Sequence, residues 1–227
     1  MSIGENVRDV KRRIAEAAVK SGRKSEDILL VGVTKTIDVE RIRELLNIGV
    51  RDLGENRPQE LCEKYPVLGG EPQWHLIGHL QTNKVKSIID KVVLIHSVDS
   101  LRLAEEINKR ALQRVMDVLV EINIASEPTK HGIQPEFALD FIQQVQELSN
   151  INLKGLMCVA PNVDDPEKNR YYFKKMRELL IDINCGHVHN KDLTELSMGM
   201  TNDYETAVEE GATIVRVGTG IFGSRRY

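Results

Sequence analysis

The alternation of two hydrophobic periods along the whole chain constrains its fold more than any other feature. Eight short runs rich in β-branched and aliphatic residues, at 28–34, 51–54, 73–77, 92–96, 117–123, 152–159, 194–197 and 213–218, read as strands. Segments of helical period lie between them: Val39, Ile42, Leu45 and Leu46 share a face, as do Phe137, Phe141, Val145 and Leu148, and Phe173, Met176, Leu180 and Ile183. Pro135 and Pro166 stand where a first helical turn tolerates a missing N–H, and are read as helix starts. Val7, Val10, Ile14 and Ala17 add a helix before the first strand, expected to close the bottom of the fold or pack on its flank. Eight strands alternating with helices is the number a closed ring needs. The expected fold is therefore α/β, a single (β/α)8 TIM-type barrel domain over residues 1–227 with an extra N-terminal helix. Runs 51–54 and 194–197 are short, so an open doubly wound sheet is the alternative. Against it, no Gly-x-Gly-x-x-Gly or Gly-x-x-x-x-Gly-Lys follows the first run.

Composition excludes several function classes. A chain that is 41% hydrophobic and 29% charged is that of a water-soluble globule, and no apolar run approaches membrane-spanning length. The first twenty residues interleave Glu5, Arg8, Asp9 and Lys11 with the apolar positions, unlike a secretory leader, so a cytoplasmic location is expected. Cys62, Cys158 and Cys185 are odd in number and far apart, which suits neither a disulfide framework nor a zinc cage. A net charge of −3 with 4% aromatic residues leaves little to attract a phosphate backbone or stack on bases, so nucleic acid is not an expected partner.

In a barrel the reactive groups lie at the C-terminal ends of the strands, with phosphate commonly held after strands seven and eight. Strand one is apolar until it ends in Lys35, which places an amine at the mouth. Partial burial there disfavours the ammonium and frees the amine for imine formation, whereas a solvated strand-end lysine is the ordinary alternative. Strand seven runs into Ser197-Met198-Gly199-Met200 before a helix start, and strand eight into Gly218-Thr219-Gly220. Hydroxyls and close-approaching amides at those two ends describe a phosphate cup, or else two ordinary glycine turns. Arg216, two residues before Gly218, faces the same side and so the barrel interior. It either pairs with a carboxylate such as Glu55 or contacts a cofactor.

Five motifs then occur together: Val33-Thr34-Lys35-Thr36, Leu53-Gly54-Glu55-Asn56, Trp74-His75-Leu76-Ile77-Gly78-His79-Leu80-Gln81, Ser197-Met198-Gly199-Met200, and Val215-Arg216-Val217-Gly218-Thr219-Gly220-Ile221-Phe222-Gly223. From roughly residue 28 to 227 the chain resembles the pyridoxal-phosphate homeostasis protein family. The resemblance implies a fold like the barrel domain of alanine racemase, with pyridoxal 5′-phosphate (PLP) as the cofactor and Lys35 forming the internal aldimine. It also implies phosphate contacts from Ser197, Gly218 and Thr219, an Arg216 contact to the pyridine nitrogen, and a ring-side role for Asn56. Thr34 stands where the family usually has serine; both carry a hydroxyl. Members are regarded as PLP carriers or regulators of vitamin B6 pools, without established catalysis. The sequence suits that expectation, because it stops at Tyr227, just after the cup, where the related racemases add a β-domain with a second acid/base group. PLP-dependent apo-enzymes are the expected protein partners, and the expected state is monomeric.

Other readings make different demands. A small racemase or a Schiff-base aldolase would use Lys35 and the same cup for turnover. A metal hydrolase would recruit His75, His79 and His96, or the Cys185-Gly186-His187-Val188-His189 segment. An interaction protein would use its PLP as a signal, with Arg225 and Arg226 touching a phosphate or a partner.

Overall fold

The computed structural model describes residues 2–112, 114–186 and 192–223; His187, Val188, His189, Arg225 and Arg226 lie outside them. Eight parallel strands are present: β1 Leu29–Val33, β2 Asp52–Glu55, β3 Gln73–Leu76, β4 Val92–Val98, β5 Met116–Glu121, β6 Ile151–Met157, β7 Glu195–Met200 and β8 Ile214–Val217. They follow one another in chain order, and β1 closes on β8 through the register Leu29↔Ile214 to Gly32↔Val217. The open-sheet alternative is thereby removed. Alternation along the strands sends Val31, Leu94, Leu119, Met157 and Ile214 into a small apolar layer inside the ring, while Leu30, Leu53, Trp74, Val118 and Val215 join the larger core beneath the helices.

The helices are α1 Ile3–Lys20, α2 Val39–Asn47, α3 Pro58–Leu68, α4 Val85–Ile88, α5 Leu101–Arg110, α6 Ala138–Gln146, α7 Arg170–Cys185, α8 Tyr204–Glu209 and α9 Thr219–Phe222. Ser2 and Glu5 form a capping box at the start of α1, and Val7, Val10, Ile14 and Ala17 are all buried. α1 packs against α8, α9 and α2, on the flank of the barrel, beside the short α9 that follows β8. Phe173, Met176, Leu180 and Ile183 are buried on α7 as the period predicts. Phe137 differs, being 59% exposed. It belongs to a 3-10 turn, Pro135–Phe137, whose tighter winding takes it off the stripe that Phe141 and Val145 share. Pro166 likewise opens a 3-10 turn, Pro166–Asn169, that leads into α7. No helix among the described residues is long and apolar enough to cross a membrane.

One glycine sets how closely two strands meet. A Cβ at Gly155 on β6 would lie 1.9 Å from the Glu195 carbonyl oxygen on β7. Because backbone cannot yield as a side-chain tip can, Gly155→Ala is expected to destabilise the barrel by about 2–3 kcal/mol. Urea denaturation checks this, and an unchanged midpoint would refute the packing argument.

Candidate functional site

At the end of β1 the chain turns sharply, and the turn is clamped before and after Lys35. Thr34 is fully buried; its amide donates to the Gly54 carbonyl at 3.0 Å and its hydroxyl to Glu55 Oε1 at 2.7 Å. Lys64 Nζ donates to the Thr34 carbonyl at 2.8 Å and to Glu55 Oε1 at 2.6 Å. On the far side Thr36 sits at φ +64°, its amide donating to Glu60 Oε2 at 2.8 Å. A positive φ is unfavourable for a β-branched residue, so these bonds hold a strained corner. Lys35 projects from that corner, half-buried, and among the described residues its amine has no hydrogen-bond or ion-pair partner. Burial pushes the Glu55 carboxyl above its usual range, opposed by the Lys64 ammonium. Glu55 is thus the partner of Lys64, not of Arg216 as one reading of the sequence allowed.

Arg216 is buried in the barrel interior, as its register beside Val31 requires. Nη1 donates to Ser197 Oγ at 2.6 Å and Nη2 to the Cys158 carbonyl at 2.8 Å, which leaves further guanidinium donors unbonded. It has no carboxylate within ion-pair distance among the described residues; Glu121 and Asp203 act on it from farther away. Its side chain reaches a cavity of about 250 Å3 whose walls also include Met200, Thr201, Asn202, Gly218 and Thr219. Here the Gly218 and Gly220 amides both point at Thr201 Oγ1, at 3.3 and 3.2 Å. These are long bonds, and donors converging so loosely can be shared with an anionic oxygen. Close approach needs glycine: a Cβ at Gly220 would lie 2.9 Å from Val217 Cγ1, and Gly199, at φ +87°, would meet Tyr204 Cα at 2.9 Å. Asp203 braces the loop by accepting from the Met200 amide and from Asn169.

Glu121 ends β5 at the same rim. It is 8% exposed, its Oε2 has no hydrogen-bond partner, and burial with repulsion from Asp99 raises its pKa to about 7, against the pull of Arg216. Nearby, His79, Asp99 and His131 bring one ligand-type atom each within 4.8 Å of one another. The two rings stack at 3.8 Å and 11°, however. Lone pairs lie in the ring planes, so these nearly parallel rings do not aim both lone pairs at one point about 2 Å away. As placed, they form a stacked pair beside a carboxylate. His75 and His96 are elsewhere, inside the barrel, with all four ring nitrogens bonded to protein groups. The set His75, His79 and His96 is therefore not assembled as metal ligands.

The family profile described as "Alanine racemase, N-terminal domain" matches residues 3–226. Over its whole length the chain is 46% identical to the pyridoxal phosphate homeostasis protein of Aquifex aeolicus, covering all of that protein, and 37% identical to that of Pseudomonas aeruginosa, covering 97% of it. This chain belongs to the pyridoxal phosphate homeostasis protein family. Among solved structures, the PipY protein of Synechococcus elongatus with PLP bound superposes with a TM-score of 0.85 at 31% identity, over 98% of this chain and all of that one. An alanine racemase from Clostridium difficile gives a TM-score of 0.74 at 21% identity, covering 98% of this chain and 58% of the racemase, a likeness of fold.

Within this homeostasis-family barrel the residues singled out from sequence divide into two groups. Lys35 and the Gly218-Thr219 loop stand on neighbouring strands, and a Cβ at Gly218 would lie 3.4 Å from Val33 Cβ. Asn56 follows β2, half-buried, with its backbone packed on Gly78, where a Cβ would come within 2.4 Å of the Asn56 oxygen. Neither Lys35 nor Asn56 lines the Arg216 cavity itself. Ser197 departs from the expected place. It is fully buried, and its hydroxyl is engaged by Arg216 and by His96 Nδ1 at 2.8 Å, so it does not face the glycine loop. The hydroxyl that meets the loop amides belongs to Thr201, because β7 continues to Met200 with a register shift after Ser197. Glu121 was also missed, although a charged residue closing the apolar run Val118-Leu119-Val120 carries the same signal as Lys35 closing β1.

Proposed function

We propose that this chain binds PLP as a Schiff base on Lys35 and acts as an intracellular PLP carrier or regulator without strong catalysis of its own. The observation that carries the reading is an amine just after β1 with no protein partner among the described residues, beside a rim on β7 and β8 where an arginine, a hydroxyl and two glycine amides converge. These residues fit the cofactor's three recognisable parts. Lys35 suits its aldehyde, Arg216 its ring nitrogen, and Thr201, Gly218 and Thr219 its phosphate, with Asn56 beside the ring. When bound, PLP supplies an aldehyde for imine formation and a ring that can draw electrons from a substrate. A guanidinium donor keeps the ring nitrogen unprotonated and so weakens that draw, which favours holding the cofactor over turnover. The names of the curated relatives and the PLP-bound PipY structure support PLP as the ligand.

Hydride reduction of the PLP-incubated protein followed by peptide mapping is expected to leave one pyridoxyl group, on Lys35. An adduct on another lysine would refute the site. The carrier role further predicts delivery of PLP to an apo-enzyme faster than spontaneous release. Steady turnover of an amino acid, lost in Lys35→Ala, would instead establish an enzyme.

The phosphate assignment makes a separate prediction. Thr201→Val removes the hydroxyl but keeps its shape, and is expected to weaken PLP binding about tenfold, roughly 1.4 kcal/mol, while leaving the affinity for unphosphorylated pyridoxal unchanged. Fluorescence titration with both ligands measures this; equal loss for the two would place the phosphate elsewhere.

A further inference from the structure

An unbroken line of side-chain hydrogen bonds crosses the barrel interior from one end to the other. Arg216 Nη1 meets Ser197 Oγ at 2.6 Å, Ser197 Oγ meets His96 Nδ1 at 2.8 Å, His96 Nε2 meets His75 Nδ1 at 3.0 Å, and His75 Nε2 meets Asp52 Oδ1 at 3.0 Å. Arg216 opens on the rim cavity. Asp52, the first residue of β2, opens on a crevice of about 390 Å3 among the strand starts, beside Gln73, Asp117 and Glu195. Between them Ser197 and His96 are fully buried and His75 is 3% exposed.

With each ring carrying a single proton, the count leaves one arrangement. A guanidinium only donates and a carboxylate only accepts, so the two ends fix the direction of everything between them. Ser197 accepts from Arg216 and gives its own proton to His96 Nδ1; His96 then donates from Nε2 to His75 Nδ1, and His75 from Nε2 to Asp52. The reverse direction fails twice. Ser197 would receive two donors and have no acceptor for its hydroxyl proton among the described residues, and a lone pair of His75 would face the Asp52 carboxylate at 3.0 Å. Burial together with the nearby Arg216 holds His96 well below its usual pKa, which agrees with a neutral ring.

We infer that Asp52, His75 and His96 are positioning residues for the rim: acting through Ser197, they present an oxygen lone pair to Arg216 and so hold its guanidinium aimed at the mouth. As a statement about the ligand, this rests on the PLP reading above; as a statement about the protons, it does not. The chain conducts no proton from Arg216, which stays charged, so its effect is orientation.

Two measurements test it. In the ligand-free wild-type protein, long-range 1H–15N spectra are expected to show both His75 and His96 protonated at Nε2 and bare at Nδ1. A proton on Nδ1 of either ring overturns the inference, whether or not the protein binds PLP. With PLP, Asp52→Asn, made at the opposite end of the barrel from the ligand, is expected to weaken binding about threefold. The same substitution in a Ser197→Ala background is expected to have no further effect, because the line is already cut. An equal effect in both backgrounds, or none in either, overturns the coupling. Failure of wild type to bind PLP at all would refute the cofactor reading and leave the tautomer result to decide the chain.

Discussion

Lys35→Ala is expected to abolish the reducible PLP adduct and to weaken residual, non-covalent binding at least about a hundredfold, close to 2.7 kcal/mol, while leaving the barrel intact. Both halves follow from the same observation. The Lys35 amine has no protein partner among the described residues, so its removal breaks no hydrogen bond and leaves no buried group unsatisfied. Stability is expected to change by no more than about 0.5 kcal/mol, as for substitutions away from packed or paired groups. Lys64 is the informative comparison. It too lies near the mouth, but its amine is held by the Glu55 carboxylate and the Thr34 carbonyl. A pyridoxyl group that moved to Lys64 in the variant would mean that simple proximity governs the chemistry. Near-wild-type affinity in Lys35→Ala, read from an absorbance titration, would remove the covalent link altogether.

The strands were legible because a barrel wants apolar residues on both faces, inside the ring and beneath the helices, and such runs stand out between helical segments. Their ends were less so. β4 continues past the expected end at His96 through Ser97 and Val98, and His96 and Ser97 are polar residues that only a buried partner makes tolerable. Those partners are distant in the chain: His75 lies 21 residues from His96, and Ser197 lies 101. No local pattern announces such a bond. Ser197 illustrates the same difficulty from another side. Placed next to Gly199 it suggested a loop hydroxyl, but pleating sends it into the ring, and the loop begins only after Met200. The place of Lys35, by contrast, follows from strand one alone, since an apolar strand that ends in a charge delivers that charge to the rim, whereas its role does not.

The support beneath Lys35 gives the largest stability effect. Glu55 is fully buried, and Lys64 is its only ion-pair partner among the described residues. Lys64→Met keeps the stem of the side chain but leaves a carboxylate stranded in the interior, a loss of about 3–5 kcal/mol near pH 7. The sign of its pH dependence can be worked out. Burial already raises the Glu55 pKa, and Lys64 is what pulls it down. Without Lys64 the folded-state pKa rises further above the unfolded value, so over the interval between them the folded protein binds a proton that the unfolded chain has released. Stability of the variant must then fall as pH rises through that interval. Its deficit against wild type is expected to be smallest below pH ~4, where Glu55 is neutral in both states, and to grow toward neutrality. Urea denaturation of both proteins across that range measures it. A deficit independent of pH would mean that lost packing, and not the stranded charge, is responsible. Because Thr34 loses the Lys64 donor in the same substitution, the corner carrying Lys35 loosens as well. PLP affinity is therefore expected to fall in Lys64→Met even where the protein remains folded, linking a pair that never touches the ligand to the amine that does.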